Sequence, residues 1–271
     1  MKLSFSTLGC PDWSFDEVLS TAKDLGMDGV EIRGLEDKIY IPDFEGFSPN
    51  NIEQTKKKIK KIGLNIPILT SGAMLADKLC AMDSFVEACA YVNLAARLGV
   101  KYIRVMGTGE PQDTLGDFNL AAKLYAMLCE YALFFGVTPL IETNGRLADS
   151  KKMLKFIDLS KAKNMGILWD VNHTVQLKGE APADTVKMLG QLIKHVHIKD
   201  SIISDDNIEY KIMGYGNIPI PDILKALKDM GYSGYLSLEW VKRWNPDLQE
   251  PGIVFAHFAS YMKTLLNKAG M

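Results

Sequence analysis

Residues 136–173 read GVTPLIETNGRLADSKKMLKFIDLSKAKNMGILWDVNH, and this stretch decides the fold. An apolar run at 138–142 ends in Glu142. Residues 151–159 then follow helical spacing, and a second apolar run at 166–170 ends in Asp170. Strand, helix and strand within one such stretch predict a right-handed parallel crossover. The same alternation continues in both directions. Further strand candidates are 2–7, 29–33, 64–70, 102–106, 195–199 and 235–239, making eight in all. Helical segments are predicted at 15–25, where Val18, Leu19, Ala22 and Leu25 share a face, and at 85–98, 120–135, 183–192, 223–230 and 254–266. Several of these helices stop at glycine, at Gly26, Gly63, Gly99, Gly136 and Gly231, the residue that tolerates the left-handed conformation of a helix end.

Eight strand–helix units at a period of about 30–35 residues predict a (β/α)8 barrel built as one domain over residues 1–271. An open doubly wound sheet is the alternative. It is disfavoured because no GxGxxG follows the first strand, where Gly9 stands alone, and because eight units suit closure.

Bulk composition narrows the function. Hydrophobic residues make up 47% of the 271, enough for a large core. A formal net charge of −2 provides no positive field for nucleic acid or an anionic membrane. Cys10, Cys80, Cys89 and Cys129 lack CxxC spacing and read as reduced thiols. The start of the chain turns polar too early for a signal peptide, and no apolar run has the length of a membrane span. The expectation is a cytoplasmic protein, with oligomeric state open and a homo-oligomer among the options. The lysines at 56–58, 60 and 61 read as the solvated face of a helix whose apolar side is Ile52, Ile59 and Ile62.

In such barrels chemistry collects where strands end, because the βα loops build the mouth there. Strand 5 ends at Glu142. Strand 6 ends at Asp170, with His173 three residues on. Strand 7, HVHIKD, carries His195, His197 and Lys199 on one face, and strand 8 ends at Glu239. If these groups face inward, period-2 alternation turns Trp169, Val196 and Leu238 toward the helices. Three carboxylates at a partly dry mouth repel one another, and a divalent cation removes that difficulty. A three-oxygen, one-nitrogen set suits one Mn²⁺ ion, with Mg²⁺, Co²⁺ or Zn²⁺ as alternatives. His195, one layer deeper, reads as a satisfied core residue, and Cys10 and Met106 as packing. Trp13, Phe47, Trp240 and Trp244 fall in loops expected at the mouth, where aromatics can form an apolar wall for a sugar ring or act as lids to the core.

With these residues in view, the sequence resembles the xylose-isomerase-like barrels of sugar and sugar-phosphate isomerases and epimerases, among them inosose isomerases and dehydratases, ketose 3-epimerases and hydroxypyruvate isomerases. The resemblance runs from KLSFST and GVEIRG to the terminal helix. It is most specific in the D-x-x-H of Asp170–His173, in HVHIKD, in LSLE and in the glycine loop MGYGNIPI at 213–220. It implies a metal held by Glu142, Asp170, His197 and Glu239, a substrate-contacting His173, and an acidic strand 2 residue in Glu31. Trp13, Glu31, Lys199 and Trp240 complete the expected substrate-binding set, with Lys199, Lys242 and Arg243 available to a phosphate. Ketose 3-epimerases carry a further acid soon after the strand 5 ligand. Here residues 143–148 hold none and Asp149 comes late.

The expected chemistry is proton transfer beside a carbonyl of a sugar, sugar phosphate or inosose through an enediolate, with Glu142 and Glu239 as bases and His173 donating to a substrate oxygen. Dehydration of a keto-polyol shares that first step and is the nearest alternative. A non-catalytic sugar-binding barrel is a reading from another class. An apurinic endonuclease is disfavoured, since it needs many histidines and the chain has 4.

Overall fold

Strands and helices alternate along the whole chain in a computed structural model that describes residues 1–109, 116–204 and 207–270. The parallel strands are β1 (Lys2–Ser6), β2 (Gly29–Glu31), β3 (Leu69–Met74), β4 (Tyr102–Met106), β5 (Thr138–Glu142), β6 (Gly166–Asp170), β7 (Ile193–Ile198) and β10 (Tyr235–Leu238). They lie in the order β2-β1-β10-β7-β6-β5-β4-β3. The two edges meet: Val30 N–H donates to Asn65 O at 2.9 Å and Thr70 N–H to Ile32 O at 2.9 Å. Those bonds complete a (β/α)8 barrel, as the repeat of eight units predicts.

The helices are α1 (Phe15–Asp24), α2 (Ile52–Lys61), α3 (Ala81–Leu98), α4 (Phe118–Leu133), α5 (Ser150–Ser160), α6 (Pro182–Leu189), α7 (Ile220–Asp229) and α8 (Pro251–Lys268). Local chemistry sets their ends. Ser14 opens α1 with a reciprocal cap: its Oγ accepts from Glu17 N–H, and the Glu17 carboxylate accepts from Ser14 N–H at 2.8 Å. Gly99 closes α3 at φ 74°, which an L side chain adopts only with strain.

Alternation along the strands divides the core. Trp169, Val196 and Leu238 lie in the large apolar layer between sheet and helices. Leu140 and Leu168, which share the inner face with Glu142 and Asp170, form a separate small cluster with Ile68 inside the barrel. Trp169 is fully buried, and its indole N–H donates to Thr174 Oγ1 at 2.9 Å.

Two features differ from the sequence reading. The third strand was expected at 64–70 but spans Leu69–Met74. Pro67 has no N–H for a ladder, and the preceding stretch keeps only the single bridge from Asn65 to Gly29. The second is an antiparallel hairpin that continues from β7, β8 (Asp200–Ser204) and β9 (Asn207–Lys211), which the reading had as loop. Among the described residues, no helix is long and apolar enough to cross a membrane.

Candidate active site

Four adjacent strands, β5, β6, β7 and β10, carry Glu142, Asp170 and His197, with Glu239 in the first position after β10. Their side chains are 0–7% exposed. Each offers one atom, and the four atoms lie within 4.8 Å of one another. From His197 Nδ1 the distances are 3.4 Å to Glu239 Oε1, 3.9 Å to Glu142 Oε1 and 3.9 Å to Asp170 Oδ2.

Neighbouring groups engage these carboxylates, Asp170 Oδ2 of the convergence point included. Glu142 Oε2 accepts from Arg104 Nη1 at 2.9 Å. Lys199 Nζ donates to Asp170 Oδ2 and Glu239 Oε2, both at 2.5 Å. Asp170 Oδ1 accepts from the backbone N–H groups of Asn172 and His173. Burial works against a charged Glu239, yet the His197 and Lys199 charges outweigh it and hold its pKa well below the usual carboxylate value.

Beneath this cluster sits Glu31, fully buried. His195 Nε2 lies 2.9 Å from its Oε2, and His197 Nε2 lies 3.1 Å from both of its oxygens. Burial alone would raise its pKa, but the two histidines reverse the sign and keep Glu31 ionised. An ionised carboxylate only accepts, so both Nε2 atoms carry the protons. That leaves His197 Nδ1 facing three carboxylates, buried and without a hydrogen-bond partner.

This orphaned nitrogen tests the fit of a cation. Ligand atoms about 2.1 Å from a shared metal stand roughly 3–4.2 Å apart, close to the spacing found here. The donors are one imidazole and three carboxylates, the Glu31 carboxylate anchors His197 Nε2 so that Nδ1 faces them, and no thiolate is near. Burial works against the His197 imidazolium, yet Glu239 and Glu31 hold its pKa well above the usual value, so a cation would take the place of the Nδ1 proton. The residues fit a divalent metal ion.

His173 begins a π-helical turn, His173–Leu177, after β6. Its Nδ1 lies 3.0 Å from Thr143 O, a contact that requires the proton on Nδ1, and 3.7 Å and 3.9 Å from the Asp170 and Glu142 carboxylates. Nε2 is thereby left without a proton in the neutral ring.

Residues 19–257 match the family model described as xylose isomerase-like TIM barrel. The chain belongs to that family. A fructoselysine 3-epimerase from Shigella flexneri is 22% identical over 279 residues, spanning 98% of this chain and 98% of the relative. Among solved structures, an L-ribulose 3-epimerase superposes with a TM-score of 0.80 at 19% identity, covering 99% of this chain and 95% of the other. The structure of an IOLI protein with a binding zinc atom gives 0.77 at 19% identity, covering 99% of both.

In this xylose isomerase-like barrel, the mouth residues nominated from sequence fall into distinct places. Glu31 does not face the mouth; it lies under His197, which corrects its expected place in the substrate pocket. Lys199, 1% exposed, has its ammonium among the carboxylates. Trp240 is buried, donating its indole N–H to Gln249 O at 3.0 Å, while Trp13 is half-buried edge-on to Phe255. Lys242 Nζ is held by Pro246 O, Leu248 O and the Glu250 carboxylate, and Arg243 by Glu36 O. Asp149 caps α5 by accepting from Lys151 and Lys152 N–H, so it does not supply the extra acid of the ketose 3-epimerases.

Sequence reasoning missed Arg104, whose place at the centre of the buried strand YIRVM was the available signal. It missed Asp200 as well. That carboxylate accepts from the N–H groups of Gly214, Gly216 and Ile218 and so pins the glycine loop to the hairpin.

Proposed function

We propose that the chain is a metal-dependent sugar isomerase or epimerase that moves a proton beside a substrate carbonyl. One observation carries the reading: three carboxylate oxygens and the partnerless Nδ1 of His197 converge at a single buried point. The epimerase relatives, similar over nearly the full chain, support a carbohydrate substrate. A divalent cation bound by Glu142, Asp170, His197 and Glu239 supplies Lewis-acid polarisation of a carbonyl and its adjacent hydroxyl. The three-oxygen, one-nitrogen set favours Mn²⁺.

The chain's own residues do the rest. Glu142 and Glu239 stand at the two ends of the run β5-β6-β7-β10 and so flank a carbon chain from opposite sides. One takes the proton and the other returns it, and the fixed cations Arg104 and Lys199 hold the two carboxylates in place. His173, anchored through Thr143 O, is turned to bond a substrate hydroxyl through its Nε2, or to donate there once protonated. Burial of the cluster excludes bulk water, which strengthens each of these interactions.

The test is proton–deuterium exchange of ketoses, inososes and hydroxy-keto acids in heavy water with Mn²⁺. Exchange at the carbon beside the carbonyl is expected from the native protein, with loss of net turnover in Glu142→Gln and Glu239→Gln. Full activity in either variant refutes the two-base arrangement.

A further inference from the structure

Arg33 follows β2 by two residues and therefore shares the inner face of Glu31, one layer nearer the mouth. It is 8% exposed. A guanidinium carries five donors, and burying one without an acceptor anion is costly. Yet among the described residues the Arg33 side chain makes one long hydrogen bond, 3.4 Å from Nη1 to Ile39 O. Among the described residues, no carboxylate oxygen lies within ion-pair distance of it. The nearby acid Glu87 turns its Oε1 to Gly72 N–H at 2.6 Å and lies beyond ion-pair distance of the guanidinium. A Cβ at position 72 would stand 3.3 Å from both Arg33 Nη2 and Glu87 Oε1, so glycine there lets the two side chains flank the backbone.

Its electrostatic surroundings are of both signs: Arg104 opposes the Arg33 charge, while Tyr91, Glu87 and Glu239 favour it. Arg104, which grips Glu142, acts on Arg33 across the mouth. Burial and then that neighbouring charge pull the Arg33 pKa down to about 10, still cationic at neutral pH. On the outer side the indole of Trp244, 59% exposed, lies over the guanidinium at 5.7 Å. The other cations that could meet an anion at the mouth, Lys199, Lys242 and Arg243, are all committed to partners within the chain.

We propose that Arg33, beneath the indole of Trp244, is the recognition site for an anionic group on the substrate, a carboxylate or a phosphate. An oxyanion seated on the guanidinium supplies acceptors that the neighbouring side chains do not. This rests on the proposed sugar isomerase or epimerase function and narrows its substrate class to acidic carbohydrates. The reacting carbonyl sits over β5–β10 and the charged end points toward β2 and β3.

The test compares three ketoses that differ only at carbon 6: D-fructose, D-fructuronate and D-fructose 6-phosphate. Their affinities for the Mn²⁺-loaded native protein are measured by calorimetry, with Trp244 fluorescence as a second readout. At least one acidic ligand is expected to bind about tenfold or more tighter than D-fructose, and which one does so tells carboxylate from phosphate. In Arg33→Met that ratio should fall to near one, and Arg33→Lys should recover part of it. Because Arg33 gives up no carboxylate partner, the methionine variant should fold with a thermal midpoint no lower than the native one. Equal affinities for all three ligands in the native protein, or an unchanged ratio in Arg33→Met, overturn the proposal. Acidic ligands that bind through Arg33 without any Mn²⁺-dependent deuterium exchange would instead refute the catalytic reading and leave the anion site standing.

Discussion

Replacing Glu31 by Gln should weaken metal binding although residue 31 would touch no metal. In the native site one ionised carboxylate accepts from both His195 and His197, at 2.9 and 3.1 Å, with all three side chains 0–1% exposed. A glutamine offers one acceptor oxygen and a donating NH₂, so one of the two imidazole N–H groups loses its partner. If His197 answers by moving its proton to Nδ1, the lone pair meant for the cation disappears. A hydrogen bond to a charged group is worth about 1.5–3 kcal/mol. That corresponds to roughly 10–100-fold in metal affinity, the usual effect of removing the carboxylate behind a ligating histidine. The assay is calorimetric titration of chelator-stripped protein with Mn²⁺, after circular dichroism has established that the variant is folded. A folded Glu31→Gln that binds Mn²⁺ within twofold of the native protein would refute the reasoning.

Two further outcomes are expected. His173→Ala should keep its metal while losing about 2–4 kcal/mol of transition-state stabilisation in kcat/KM; a metal-depleted variant, or native turnover, would place His173 differently. Ser14→Ala removes the cap of α1 and should lower stability by about 1 kcal/mol in urea unfolding, while metal binding per folded molecule stays unchanged.

Much of this was legible in the sequence. The strands at 102–106, 138–142 and 166–170 coincide with β4, β5 and β6, because aliphatic runs bounded by glycine and polar loops have little alternative to a buried parallel strand. Glu142, Asp170 and Glu239 followed from asking which residues end successive strands, strand 7 offered His195, His197 and Lys199 on one face, and the family resemblance singled out His197. What could not be read was depth. Strands in a barrel tilt, so neighbours in the ladder stand at different heights along the axis. Glu31 ends its strand just as Glu142 does, yet it reaches under His197 from across the barrel. Charge pairing was equally hidden: nothing local tells that Lys199 folds back onto Asp170 and Glu239 while Arg33 is left without an anion. The hairpin at 200–211 was missed because its alternation is short and sits inside what resembled a loop.

The most direct test of the central claim is the metal stoichiometry of the chelator-stripped native chain, read by titration with Mn²⁺ and by elemental analysis after reconstitution, alongside His197→Ala. One equivalent per chain is expected, with affinity at least about tenfold weaker in the variant. No uptake, a stoichiometry near three, or a variant that binds as tightly as the native chain would contradict the account.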